Sequence, residues 1–357
     1  MKKLLLAGGG HSHIQVLKRL KEEPLKEVDI TLISPSNYQY FPELFPGYAK
    51  DRYAEKRIRA DLEKLAEDAG VKWKEGALLS IDPGQKLALT ADGEILEFDI
   101  ISLNIGSMTS GTDKISLSEN IYTVKPNYQF TTAVKAVRGV DNPVIIGENA
   151  AAVEIAASVQ AWRTKKNIQS PVTVIAENRL VPEMEENISE AIANRLRESG
   201  IILFEGETIK KMEENKIFIN SEEIPFDKLL WLQKPKAPDL FKLSKLPVEE
   251  NGYLSIEKTL QVKEYPFIFG AGESAVIKDH QPFTHSLYTS RKQGDVLFTN
   301  IRGFMDTGEG ELIEELHIPI LLELGNKQGF AVFRNRPLFG KIPWALRQIQ
   351  NKKLLKN

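Results

Sequence analysis

The segment Gly8-Gly9-Gly10-His11-Ser12-His13 is the first place in this chain where residue type and spacing point to chemistry. It follows the G-x-G-x-x-G pattern, with His13 in the last place. Glycine at the first position allows a tight turn, and glycine at the second lets backbone amides approach a diphosphate. A helix starting there adds partial positive charge. Gly147-Glu148-Asn149-Ala150-Ala151-Ala152 repeats the pattern in damaged form. Gly147 keeps the first place and Ala152 stands third, but Asn149 puts a carboxamide where bare backbone is required. Glu148 adds a negative charge beside the same position. The plain alternative for the first is a glycine turn of an α/β protein that holds no ligand, and for the second a retained scaffold domain with a closed or repurposed cleft.

Other chemistry is thin. The chain has five histidines and no cysteine. Without cysteine there are no thiol nucleophiles, redox disulfides, iron–sulfur clusters or thiolate zinc sites, so any redox work needs a bound organic cofactor. His11 and His13 have no carboxylates at ligand spacing, and no metal site is expected. His285 precedes a helical stretch running to Asn300 and is a weak catalytic candidate, against a plain surface histidine. His280 and His317 read as solvated. Glu177 and Arg179 follow the strand Val172–Ile175. An acid there selects NAD and an arginine tolerates NADP, so the preference stays open.

The elements that would position these residues are legible. Lys3–Ala7 reads as a strand, Ile14, Leu17 and Leu20 as a helix face, and Val28–Ile33 as a second strand, making a βαβ unit around the first turn. Pro143–Ile146, a helix from Val153 through Val159, and Val172–Ile175 make another around the second turn. Composition agrees with a globular protein of two domains, at 357 residues, 42% hydrophobic and 27% charged. A net charge of −2 argues against nucleic acid as a partner. The apolar stretch Leu4–Ala7 stops at Gly8, too short for a signal peptide, and no stretch reaches the ~18–20 apolar residues of a membrane span. A cytoplasmic protein is expected.

Two further segments carry expectations. Asn37–Pro46 is rich in aromatic residues and proline, suited either to walling a planar acceptor or to packing as a loop between domains. Residues 331–357 carry Arg334, Arg336, Lys341, Arg347, Lys352, Lys353 and Lys356 with no Asp or Glu. Ile342, Leu346 and Ile349 recur there at helical spacing. Such a helix either lies on an anionic membrane surface or docks on its own domain.

Four more motifs give the chain a resemblance. They are Phe98–Ser107, Tyr122–Pro126, Tyr265–Ser274 and Gln293-Gly294. With both turns, they make the chain similar to the two-dinucleotide flavoproteins of the pyridine nucleotide-disulfide oxidoreductase superfamily, resembling type II NADH dehydrogenases and sulfide:quinone reductases. It most resembles a branch associated with selenide, water dikinase, through the His-x-His of the first turn, Ile33-Ser34-Pro35-Ser36, Pro46-Gly47, Ile105-Gly106-Ser107 and Val124-Lys125-Pro126.

The resemblance implies an α/β fold of two Rossmann-like nucleotide-binding domains, glutathione-reductase-like. The FAD domain would span 1–117 and 246–312, the NAD(P)-binding-like domain 118–245, and a C-terminal region 313–357. Gly8, Gly10, His11 and Ser12 would surround the FAD diphosphate, with Ser34 at the adenosine ribose and the backbone of Leu78 at the adenine. Gly106 would turn the chain beside the cofactor, and Gly272 and Glu273 would approach its ribityl and phosphate end. Glu273 stands where relatives have Asp. NAD(P)H would fall to Gly147, Asn149 and Glu177. Asn149 speaks against it, as does Leu232-Gln233-Lys234, where relatives carry Ala-Thr-Gly.

The implied function is electron transfer from NAD(P)H through FAD to a quinone-like acceptor. The missing cysteines exclude sulfide and disulfide chemistry. Two alternatives are a flavoprotein with another donor and a non-enzymatic FAD- or nucleotide-binding partner protein. The resemblance adds peripheral contact with the inner face of a membrane through the basic C-terminal helix. It leaves the oligomeric state open.

Overall fold

Leu4, Leu5, Leu6 and Ala7 are all buried, as an unbroken apolar run must be in a parallel strand covered on both faces. They form most of β1 (Lys2–Ala7). After the glycine turn comes α1 (His11–Glu22), which buries Ile14, Val16, Leu17 and Leu20 at helical spacing. The chain continues through β2 (Val28–Ser34), β3 (Lys72–Glu75) and β4 (Ile100–Leu103). β1 pairs in parallel with both β2 and β4, and β2 pairs in parallel with β3. The computed structural model describes residues 1–112, 119–278, 287–306, 308, 310–314, 320–333 and 336–355.

A second set of elements follows: β5 (Ile121–Thr123), β6 (Pro143–Ile146), α2 (Ala150–Lys165), β7 (Thr173–Ala176), α3 (Glu186–Glu198), β8 (Ile202–Glu205) and β9 (Lys228–Trp231). Their five strands make one parallel sheet in the order β5-β9-β6-β7-β8. α2 is apolar over much of its surface and is buried accordingly. Arg163, fully buried on α2, donates to the carbonyls of Arg138 (2.9 Å), Val140 (2.6 Å) and Ser170.

The chain then returns to the first sheet with β10 (Gln261–Val262) and β11 (Tyr265–Gly270), completing the order β10-β11-β4-β1-β2-β3. α4 (Leu287–Asp306) packs on α1. Gly294 makes that approach possible, because a Cβ there would lie 2.6 Å from Ser12 O. The last elements are β12 (Leu321–Glu323), β13 (Gly329–Phe333), β14 (Arg336–Gly340) and α5 (Lys341–Leu355).

Two compact units result. The first comprises Met1–Tyr40, Arg59–Met108 and Lys236–Ile318; the second comprises Phe41–Ile58, Thr109–Pro235 and Pro319–Asn357. These divisions differ from the expected boundaries in three places. Residues 41–58 belong to the second unit, where Phe45 stacks on Phe130 at 3.7 Å and Asp51 accepts from Arg138 and Trp162 (each 2.6 Å). Residues 236–245 belong to the first, where Ser244 Oγ accepts from Ile81 N. Residues 319–357 join the second unit rather than standing apart. The reason is a buried polar cluster on α2. Glu154 accepts from Glu323 N (2.7 Å) and pairs with Arg347, and Glu323 pairs with Lys50 and accepts from Trp344 Nε1 (2.9 Å).

Candidate dinucleotide site

The first glycine turn sits at the carboxyl end of β1, between β2 and β4, where a nucleotide-binding crevice opens in this architecture. Gly8 has φ +92°, and a Cβ on it would lie 2.4 Å from Asn104 O. Its amide donates to Ile33 O at 2.7 Å. Gly10 caps α1 with no side chain of its own. The cap comes instead from Asn104, just beyond β4. Its Oδ1 accepts from Ser12 N (3.1 Å) and His13 N (3.3 Å), and its Nδ2 donates to Ala271 O (2.8 Å). A Cβ on Gly10 would lie 2.1 Å from Asn104 Oδ1, and one on Gly272 would lie 2.2 Å from its Nδ2. Asn104 therefore fixes both glycines.

This refines what the amides offer. Ser12, expected at the diphosphate, has its amide bonded to Asn104 Oδ1. A different donor stands at the same place. Gln293 on α4 is buried, and its Oε1 accepts from Gly272 N (2.9 Å) and Ser12 Oγ (3.3 Å). Its Nε2 has no hydrogen-bond partner among the described residues. A buried donor without an acceptor costs about 1–3 kcal/mol unless a ligand oxygen satisfies it. The glycine cradle and this waiting donor fit a diphosphate.

His13 takes the third position of the pattern by becoming core. It is fully buried, with Nδ1 2.6 Å from Gly8 O and Nε2 2.8 Å from Ser102 Oγ. The carbonyl can only accept, so Nδ1 carries the proton and Ser102 donates to Nε2. Burial pushes its pKa down to about 4. It ties α1 to β1 and β4.

The other expected residues of this site fall around the same crevice. His11 opens α1 and is half-buried. Ser34 ends β2 and is buried, and its carbonyl accepts from Gly76 N at 3.0 Å, which brings the approach to Leu78 beside that strand end. Gly106 has φ +73°, with open space where a Cβ would stand. Gly272 has φ +68° and begins the short turn that carries Glu273. The longer side chain of Glu273 is taken up by Ser107, whose Oγ donates to Oε2 at 2.8 Å. Burial and the nearby Glu273 push the Tyr253 phenol up to about 12. His285 lies outside the described residues, as do His280 and His317.

The second turn is built otherwise. Gly147 has φ +155°, and a Cβ there would lie 2.5 Å from Leu232 O. Asn149 caps α2 with its own side chain: Oδ1 accepts from Ala152 N (3.0 Å) and Nδ2 donates to Leu232 O (2.8 Å). Glu148 is buried and accepts from Asn178 N (2.9 Å), from Asn178 Nδ2 (2.9 and 3.1 Å) and from Lys234 Nζ (3.1 Å). Burial pushes its pKa up, but Asn178 and Lys234 outweigh burial and hold it below the usual carboxylate range. Glu177 is exposed, and Arg179 donates to the carbonyls of Pro182 and Met184.

Sequence reasoning missed Asn104 as the organiser of the first turn and Glu154 as the centre of the buried cluster. Asn104 did leave a signal, being a polar residue ending an apolar strand just before Gly106. Burial pushes the Glu154 carboxyl up, with Arg347 opposing. Among the described residues no group of three or more His, Cys, Asp or Glu could hold a metal ion.

Comparison with known proteins places this geometry. The model of the pyridine nucleotide-disulphide oxidoreductase family matches residues 2–294. The NADH dehydrogenase-like protein YutJ of Bacillus subtilis is 22% identical over 357 residues, covering 97% of each chain. Among solved structures, NDH2 from Plasmodium falciparum in complex with NADH aligns with a TM-score of 0.84 at 15% identity, over 99% of this chain and 94% of that one. The sulfide:quinone oxidoreductase of Aquifex aeolicus aligns with a TM-score of 0.78 at 18% identity, over 99% and 91%. The fold is that of the FAD- and NAD(P)-binding flavoprotein oxidoreductases.

Proposed function

The chain belongs to the pyridine nucleotide-disulphide oxidoreductase family, and on that premise we propose an FAD-dependent oxidoreductase in which NAD(P)H reduces a flavin held by the first unit and a quinone-like acceptor takes the electrons. The observation that carries the reading is the buried Nε2 of Gln293, without an acceptor among the described residues, beside the turn where Gly8 and Gly10 pack without side chains against Asn104. The family and its structural neighbours bind FAD and NAD(P)H, which supports the cofactor pair.

A bound flavin supplies the two-electron chemistry that a chain without cysteine lacks. The work of the residues is positional. Asn104 locks the α1 N-terminus, Gln293 would donate to a diphosphate oxygen, and Ser107, which bonds Glu273, would hold it toward the ribityl end. Ser34 and the backbone near Leu78 mark the adenosine side. None of these side chains needs to move a proton for hydride transfer.

The acceptor side rests on α5. Ile342 (67% exposed), Leu346 (46%) and Ile349 (53%) form an outward apolar stripe, while Gln348 and Asn351 are buried. Lys341, Lys352 and Lys353 lie on the same helix. An exposed apolar stripe with basic flanks suits the surface of an anionic membrane, where lipid-soluble quinones reside. No helix among the described residues is long and apolar enough to cross a membrane.

The test is direct. Purified protein should carry flavin absorbance, release FAD on denaturation, bleach anaerobically with NADH or NADPH, and recover colour with a soluble quinone. Protein that stays colourless after reconstitution with FAD overturns the reading. A second reading, a flavoprotein with another donor, is favoured by the buried Glu148 carboxylate beside the second turn. It predicts a coloured protein that neither nucleotide bleaches.

A further inference from the structure

Glu154 lies buried on α2 where distant segments of the second unit meet, and its two oxygens are served unequally. Oε1 accepts the amide of Glu323 on β12 at 2.7 Å. The cation facing it is Arg347 on α5, whose Nη2 stands 3.4 Å from both oxygens. A charge-assisted N–H···O bond is about 2.7–2.9 Å long, so this pair is loose. Arg347 Nε has no hydrogen-bond partner among the described residues. Lys50 is engaged elsewhere, on the Glu323 carboxylate, which also accepts from Trp344 Nε1 at 2.9 Å.

The other charged and titratable groups around Glu154 do not tighten its hold. Glu43, from residues 41–58, adds the field of a further carboxylate. Tyr53, from the same segment, donates to Gln348 Oε1 on α5 at 3.4 Å. The helix Phe130–Arg138 turns Lys135 to Tyr48 and Glu55, and Arg138 to Asp51 at 2.6 Å. Burial pushes the Glu154 carboxyl up and the fields of Glu323 and Glu43 add to it, while Arg347 and the Glu323 amide oppose without prevailing. An ionised carboxylate here loses its water and regains only a loose pair.

α5 is weakly committed to its seat. Its inward face is polar, with Gln348 and Asn351 buried, and Gln348 Nε2 has no hydrogen-bond partner among the described residues. Its apolar side chains Ile342, Leu346 and Ile349 are exposed. A helix seated in this way gains little from burial. What holds the segment from β12 to α5 on α2 is the Glu154 junction, the turn at Gly325 against Ala157, and the Lys50–Glu323 pair that ties it to residues 41–58.

We propose that Glu154 is a proton-controlled anchor: the segment from β12 to α5 seats on α2 with a proton on the Glu154 carboxyl, and giving that proton to water loosens it. Only the carboxyl O–H bond breaks, and the loosened form leaves a hydrated carboxylate. The seated form keeps its proton above the ordinary carboxylate range, and the loosened form does not. Seating is therefore full below the ordinary range and is lost as pH rises through the raised value. The attachment of α5, with its outward apolar stripe, thereby depends on pH. Neither flavin nor nucleotide enters, so the proposal stands or falls apart from the proposed function.

The experiment is hydrogen exchange by mass spectrometry on the full-length protein from about pH 5 to 9, corrected for intrinsic exchange rates, with β7 as the internal reference. The Glu323 amide and the α5 amides should lose protection by up to about tenfold per pH unit while Glu154 gives up its proton, the slope of a one-proton linkage. Glu154→Gln keeps an acceptor for Glu323 N and cannot ionise, so its protection should stay at the parent's low-pH level throughout. Arg347→Gln removes the opposing cation and should move the loss to higher pH, whereas loss of a merely structural pair would lower protection equally at every pH. The proposal is overturned if the parent's protection, relative to β7, is flat or rises with pH, or if Glu154→Gln keeps the parent's slope. Should Glu154→Gln fail to fold, Arg347→Gln decides, and an unmoved pH profile there overturns it.

Discussion

Asn104 Oδ1 accepts the amide proton of Ser12 at 3.1 Å, so the helix behind the first glycine turn is capped from the end of a neighbouring strand. The same carboxamide explains why position 10 is glycine. Gly10 has φ −62°, a conformation any residue adopts, and is glycine only because Asn104 leaves no room for a Cβ.

That argument predicts a coupling. Gly10→Ala should destabilise the parent by about 2 kcal/mol through overpacking. Asn104→Ala alone should cost about 1–2 kcal/mol by uncapping α1. In the double variant the clash is gone, so urea unfolding should show at least about 1 kcal/mol of favourable coupling. Gly272→Ala is the control: its φ of +68° keeps it strained even without Asn104. Strict additivity of Gly10→Ala and Asn104→Ala would contradict the account.

His13 predicts a pH dependence. The folded protein holds it neutral down to about 4, whereas the unfolded chain takes up a proton near 6.5. Between those values the unfolded state binds more protons, so stability is full above 6.5 and is lost as pH falls toward 4. For a fully buried group the loss is about 3 kcal/mol. Unfolding free energy measured from pH 7 to 4 should fall more steeply in the parent than in His13→Asn. Parallel curves would show that His13 titrates normally.

Gln293 separates binding from folding. Gln293→Glu keeps an acceptor for Gly272 N but replaces the free donor with negative charge. Flavin affinity should fall by at least about tenfold, or 1.4 kcal/mol, measured by fluorescence on release of the cofactor. Gln293→Met should lose both the donor and the acceptor, and so lower thermal stability as well. Undiminished flavin content in Gln293→Glu would remove Gln293 from the site.

The tail predicts a location. Leu346→Glu and Ile349→Glu change exposed side chains and should alter stability by no more than about 0.5 kcal/mol. They should abolish flotation with vesicles containing anionic lipid, and high salt should weaken the parent's flotation by screening the lysines. Parent protein that ignores anionic vesicles would leave α5 without a membrane role.

The sequence by itself determined the two βαβ units, because apolar runs of strand length, glycine turns and helical spacing are local signals read within a dozen residues. It also located the turn around Gly8 and Gly10, and the departure at Asn149. Only the tertiary structure decided what those residues do. Asn104 lies some ninety positions from Ser12 and Gln293 lies farther still, and no local pattern says that their carboxamides meet at one helix end. His13 looked like a change in a phosphate turn and is a core residue, because Ser102 and Gly8 O satisfy both of its nitrogens. Residues 41–58 read as part of the first domain and 313–357 as a separate region, yet 41–58 and 319–357 pack in the second unit, since the charges that bind them there are distant in sequence and adjacent only once the chain has folded. Local spacing specifies elements; burial and the need to satisfy every buried polar group specify which distant residues share a site.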